Sequence, residues 1–113
     1  MIIDFVGKFY DNHSLSIINR NIVTKLAEAH PDWEISITPL DSYDPEYKLD
    51  KEIAQQLKIL EQAETGEPNI QVRHSYPPIW QWPASDRTKI IFIQPWEYLK
   101  APFEWQYKFE TFA

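Results

Sequence analysis

Three clusters in this chain combine residue types that can do chemistry, and each falls at the carboxyl end of an expected strand. Gly7-Lys8-Phe9 comes first. A glycine there lets backbone approach a ligand, and the N-terminus of a following helix offers N–H groups suited to an anion. A tight turn also accounts for one glycine, which is a weaker signal than G-x-G-x-x-G. Arg73-His74-Ser75-Tyr76-Pro77-Pro78 comes second. A histidine near its ordinary pKa can orient or deprotonate a hydroxyl, an arginine can pair with phosphate, and two prolines stiffen the loop. Gln94-Pro95-Trp96-Glu97 is the third. An indole stacks on the C–H face of a sugar ring, and a carboxylate accepts hydrogen bonds from its hydroxyls.

Other chemistries find less support. His13, His30 and His74 are far apart in sequence, with no recurring His/carboxylate spacing, so no metal site is expected. With no cysteine and no G-x-S-x-G turn, a nucleophilic triad has no starting point.

Positioning these clusters requires an ordered set of elements. Residues 2–6 form a short apolar run broken by Gly7, which reads as a buried strand. Leu15, Ile18, Ile22, Leu26 and Ala29 recur at helical steps, with Asn12 or Ser14 as N-cap and Pro31 as the stop. Trp33, Ile35 and Ile37 alternate with polar residues as in a strand. Asp44-Pro45 has the chemistry of a helix start; Leu49, Ile53, Leu57 and Leu60 would form its apolar face, and Gly66 its end. Residues 69–73 read as a short strand and 89–94 as a stronger one, apolar on both faces and so expected in the middle of a parallel sheet. Residues 103–112 fit either a strand or a helix by periodicity; the helix is favoured because a parallel sheet needs a crossover after its fourth strand.

This alternation predicts an α/β fold: a Rossmann-like parallel sheet with flanking helices, in strand order about 3-2-1-4, its switch point between the first and fourth strands. The whole chain, 1–113, makes one domain. Its net charge of -6 argues against nucleic acid as a partner, which would need a basic stripe. There is no apolar run of membrane-spanning length, no signal-peptide pattern and no cysteine, from which a cytoplasmic location is expected.

Taken in order, the clusters resemble a known set. Gly7-x-Phe9 with His13-Ser14-Leu15-x-x-x-Asn19-Arg20, then Arg73-His74-x-x-Pro77-Pro78, then Ile93-Gln94-Pro95-Trp96-Glu97 and Pro102-x-x-Trp105 are similar to the N-terminal part of family 4 glycosyltransferases, a retaining GT-B group. The resemblance implies two Rossmann-like domains facing across a cleft, of which this chain matches part of the acceptor-side one. It implies a nucleotide-sugar co-substrate, no permanently bound cofactor and no required metal. Gly7, Lys8, Phe9, His13 and Ser14 would lie on the donor-diphosphate side. His74 and Glu97 would be catalytic, and Arg73, Tyr76, Gln94 and Trp96 would bind substrate. Expected partners are a carbohydrate or glycan acceptor, a C-terminal donor domain without which the chain is inactive, and a second copy pairing through an exposed sheet edge. The alternative is a non-catalytic carbohydrate- or protein-binding module derived from such a domain. Lys8 departs from the family, where a small residue or proline is usual. Tyr98-Leu99-Lys100 departs from its aromatic-Gly-Ser turn.

Overall fold

The computed structural model describes residues 1–47, 49–76, 78–83 and 85–94 and the single positions 105, 108 and 111, with Tyr47 described in its backbone only. Four parallel strands, β1 (Ile2–Gly7), β2 (Glu34–Pro39), β3 (Ile70–His74) and β4 (Lys89–Phe92), form one sheet in the order β2-β1-β3-β4. Two helices, α1 (Ser14–Ala29) and α2 (Lys51–Glu61), occupy the first two crossovers. The chain is therefore an α/β protein with an all-parallel sheet, but the expected order 3-2-1-4 is corrected. After β2 the chain passes back over β1, so β1 and β3 become neighbours and the switch point lies between them.

Register explains the core. Ile3 pairs with Ile35 and Ile70, and Phe5 with Ile37 and Val72, so these residues share one face of the sheet. Val23 of α1 and Leu57 of α2 join the same buried cluster, together with Phe9 and Tyr10 from the segment after β1. The opposite face carries polar side chains. Asp4 accepts hydrogen bonds from Ser36, Thr38 and Gln71, and Gln71 in turn accepts from Arg73 Nε. Part of the segment after β3 lies against this second face, with the Trp80 ring 5.2 Å from Phe92.

Several element boundaries differ from expectation. Asp44-Pro45 starts only a single 3-10 turn, Pro45–Tyr47, and α2 begins six residues later, where Asp50 caps the N–H groups of Glu52 and Ile53. α2 ends at Glu61, before Gly66. Among the described residues β4 is an edge strand, and Ile91, expected inside, is 47% exposed. An apolar run indicates burial somewhere but cannot say whether a further strand lies beside it. Of 103–112 only Trp105, Lys108 and Thr111 are described, and all three are helical. Among the described residues no helix is long and apolar enough to cross a membrane.

Candidate functional site

α1 buries most fully a face rotated away from the one its apolar spacing suggests, although Ile22 still packs against the core. Its inward residues are Ser16, Asn19, Arg20 and Val23, while Ile17 and Ile18 are more than 40% exposed. The reason is the ceiling under which the helix starts. The chain leaving β1 turns over the first two turns of α1 and presents inward carbonyls, which must find donors once they leave water. Arg20 Nη1 donates to Phe9 O at 2.9 Å and to Asp11 O at 2.5 Å. Asn19 Nδ2 donates to Lys8 O at 3.0 Å and, more weakly, to His74 O at 3.4 Å. An isoleucine in either place would leave buried carbonyls unpaired.

The loop is held from its other side by Asp41, just beyond β2. Its carboxylate accepts from three successive backbone N–H groups, those of Phe9 (2.9 Å), Tyr10 (3.0 Å) and Asp11 (3.2 Å). Such a run of N–H groups is a nest for an anion, and here the chain supplies the anion itself. Asp11 then organises the start of α1, accepting from His13 N at 3.0 Å and from the Ser16 hydroxyl. Burial opposes ionisation of Asp11, but these bonds together with His13 and Lys8 outweigh it and hold its pKa below the usual value. Burial lowers the Arg20 pKa, opposed by Asp11 and Asp41.

Above this scaffold lies a cavity of about 330 Å³ lined by Lys8, His13, Ser14, Leu15, Leu40, His74, Ser75 and Tyr76. It sits at the carboxyl ends of β1 and β3, where Gly7 and His74 are register partners. Two clusters more than sixty positions apart in sequence thus meet in one place, because β3 inserts directly beside β1. Lys8 projects with its ammonium 3.8 Å from Asp11. His13, rather than Asn12 or Ser14, is the N-cap residue of α1 but makes no side-chain cap, and the first turn, which holds no acidic residue, lines the cavity through Ser14 and Leu15. His74 is 2% exposed, and Nδ1 lies 2.6 Å from Asn19 Oδ1. Burial lowers its pKa, favouring the neutral ring.

The remaining candidates divide clearly. Gly7 is buried, and a Cβ there would sit 2.6 Å from Asn19 Nδ2 and 2.7 Å from His74 O, so the glycine is needed for close packing of α1 against the strand ends. Phe9 is fully buried in the core with its N–H bound by Asp41; it shapes the loop from beneath. Tyr76 stands 62% exposed at the rim. Arg73 points to the opposite face of the sheet, where Nε donates to Gln71 and Nη1 donates to Ile79 O at 2.8 Å, so it does not reach the cavity. Gln94 follows β4, one strand further along, and its buried Nε2 has no hydrogen-bond partner among the described residues. Trp96 and Glu97 lie outside the described residues, as does Pro77. Among the described residues no three His, Asp or Glu side chains gather into a metal-binding group.

Comparison with protein-family models, with curated proteins and with solved structures finds no match to this chain.

Asp11, Ser16 and Asp41 build the site without having been candidates for it, and Asn19 and Arg20, which stand in the motif after β1, build it without having been given a role. The sequence signal for three of them is a polar stripe, Ser16, Asn19 and Arg20, at helical spacing beside the apolar one. Asp41 has no local signal, because its partners lie some thirty residues earlier.

Proposed function

We propose that this chain is the acceptor-side segment of a retaining, GT-B-type glycosyltransferase of family 4, and that the cavity between β1 and β3 is its wall of the active site. The observation that carries this reading is the convergence, around one cavity at the switch point, of a helix N-terminus, Lys8 and a buried neutral histidine. The N-terminus of α1 and Lys8 supply positive potential for the diphosphate of a nucleotide sugar. As the bond between the anomeric carbon and the diphosphate breaks, negative charge grows on the leaving oxygen, and fixed dipoles aimed there stabilise it. His74 is placed to hold a sugar hydroxyl, and Tyr76 offers an aromatic surface at the rim. A donor-binding domain facing this wall completes the site, so the segment by itself binds weakly and does not turn over.

One observation favours a second reading, a carbohydrate-binding module without transfer activity. The N–H groups of Phe9, Tyr10 and Asp11 are already taken by Asp41, which leaves the helix terminus and Lys8 as the main anion contacts. Titrating ¹⁵N-labelled protein with uridine diphosphate glucose, guanosine diphosphate mannose and free oligosaccharides separates the two. Transfer chemistry requires shifts at Lys8, Ser14 and His74 with a nucleotide sugar. Shifts there with oligosaccharide alone favour the module, and no response to any of these probes overturns both readings.

A further inference from the structure

We propose that Asn19 is the positioning residue of this site: its side-chain amide fixes the His74 ring in the tautomer with the proton on Nδ1, leaving Nε2 as an acceptor at the cavity. The inference rests on the proposed function only for what Nε2 then does; the tautomer follows from geometry. Asn19 is fully buried, and its amide can be placed in two orientations. The neighbouring carbonyls decide between them. Lys8 O at 3.0 Å and His74 O at 3.4 Å both require a donor, so the NH₂ group must face them. That turns Asn19 Oδ1, which can only accept, toward the imidazole at 2.6 Å. Nδ1 therefore donates, and in a neutral ring the lone pair is on Nε2. Among the described residues the hydrogen bond of the ring is the one at Nδ1, and His74 lines the cavity.

Two chains of contact lock the arrangement. Lys8 O belongs to the loop after β1 and His74 O to the end of β3, so a single amide ties both halves of the site to α1. Gly7 makes the approach possible, since any Cβ there would displace the amide nitrogen. The consequence is selective. An unprotonated Nε2 receives a hydrogen bond from a hydroxyl and repels an anionic oxygen, so the histidine discriminates against phosphate in its own corner while Lys8 and the helix terminus attract it.

The test reads the imidazole directly and needs no ligand. In ¹⁵N-labelled protein at neutral pH, two-bond ¹H–¹⁵N correlation of the three histidines, with His74 assigned by His74→Gln, reports which nitrogen is protonated. His74 is expected with Nδ1 protonated and Nε2 bare; the opposite pattern overturns the proposal. Asn19→Asp keeps an acceptor opposite Nδ1 and adds a charge, and should raise the His74 pKa by about 1–3 pH units while preserving the tautomer. An unchanged titration in a folded Asn19→Asp variant also overturns it. Should nucleotide sugars fail to bind while the wild-type tautomer is as expected, the proposed function falls and the role of Asn19 in setting the ring stands.

Discussion

At the scale of single residues, the site depends on small groups meeting in a space that admits nothing larger. Gly7 needs no unusual backbone angle; its missing Cβ matters because Asn19 Nδ2 and His74 O occupy that volume. Gly7→Ala should therefore destabilise the fold by about 1–3 kcal/mol, as overpacking does, measured by denaturant unfolding. It should also disturb the His74 ring signals, because the displaced atom is the amide that sets the ring. His74 itself makes stability depend on pH. Its folded pKa is lowered by burial, whereas the unfolded chain titrates near about 6.5. Below that value the unfolded state takes up the proton first, so stability is fully present above about pH 6.5 and declines as pH falls toward the folded pKa. His74→Gln should flatten this part of the stability profile, and a profile unchanged by the substitution would contradict the assignment.

At the scale of elements, capping and loop clamping decide where the helices begin. α2 starts at Lys51 because Asp50 Oδ1 accepts from Glu52 N at 2.9 Å and Ile53 N at 3.3 Å. Asp50→Ala should cost about 0.5–2 kcal/mol, visible as a lower midpoint at unchanged slope in urea unfolding. The earlier Asp44-Pro45 pair has the same start chemistry, and Asp44 does accept from Glu46 N at 3.0 Å. It yields a single turn, since a start signal governs the first turn and a longer helix needs an apolar face packed behind it. α1 shows the converse. Its apolar spacing located the helix, but that face is only partly inward: Ile22 packs on the core while Ile18 is exposed, because the carbonyls of Lys8, Phe9 and Asp11 demand donors at the most buried positions.

At the scale of the whole molecule, the strand order determines both the site and the edges. With β1 and β3 adjacent, the clusters after them form one cavity, while Gln94 is set one strand away and Arg73 faces the opposite side of the sheet. Among the described residues β2 and β4 are the sheet edges, and edge strands are templates for association. Ile91, half exposed on β4, adds an apolar contact there. We predict concentration-dependent self-association in light scattering, weakened by Ile90→Pro: Lys89 N and Ile93 N bond toward β3, to Asn69 O and Arg73 O, so the N–H of Ile90 is on the open side of β4. A strictly monomeric mass at high concentration would count against it.

The amino-acid sequence by itself determined the alternation of strands and helices, the parallel α/β class and the loops worth examining. Those signals are local: apolar periodicity, prolines and glycines, and cap chemistry act over a few residues. It also marked Gly7, Lys8 and His74, whose types suit them to a ligand site. Only the tertiary structure decided that β3 lies beside β1, that Asn19 rather than an apolar residue faces His74, and that Asp41 fills the nest after β1. Each of those facts is a pairing between groups distant in the chain. Such pairings are selected by what must be buried and hydrogen-bonded together, which no stretch of sequence specifies alone.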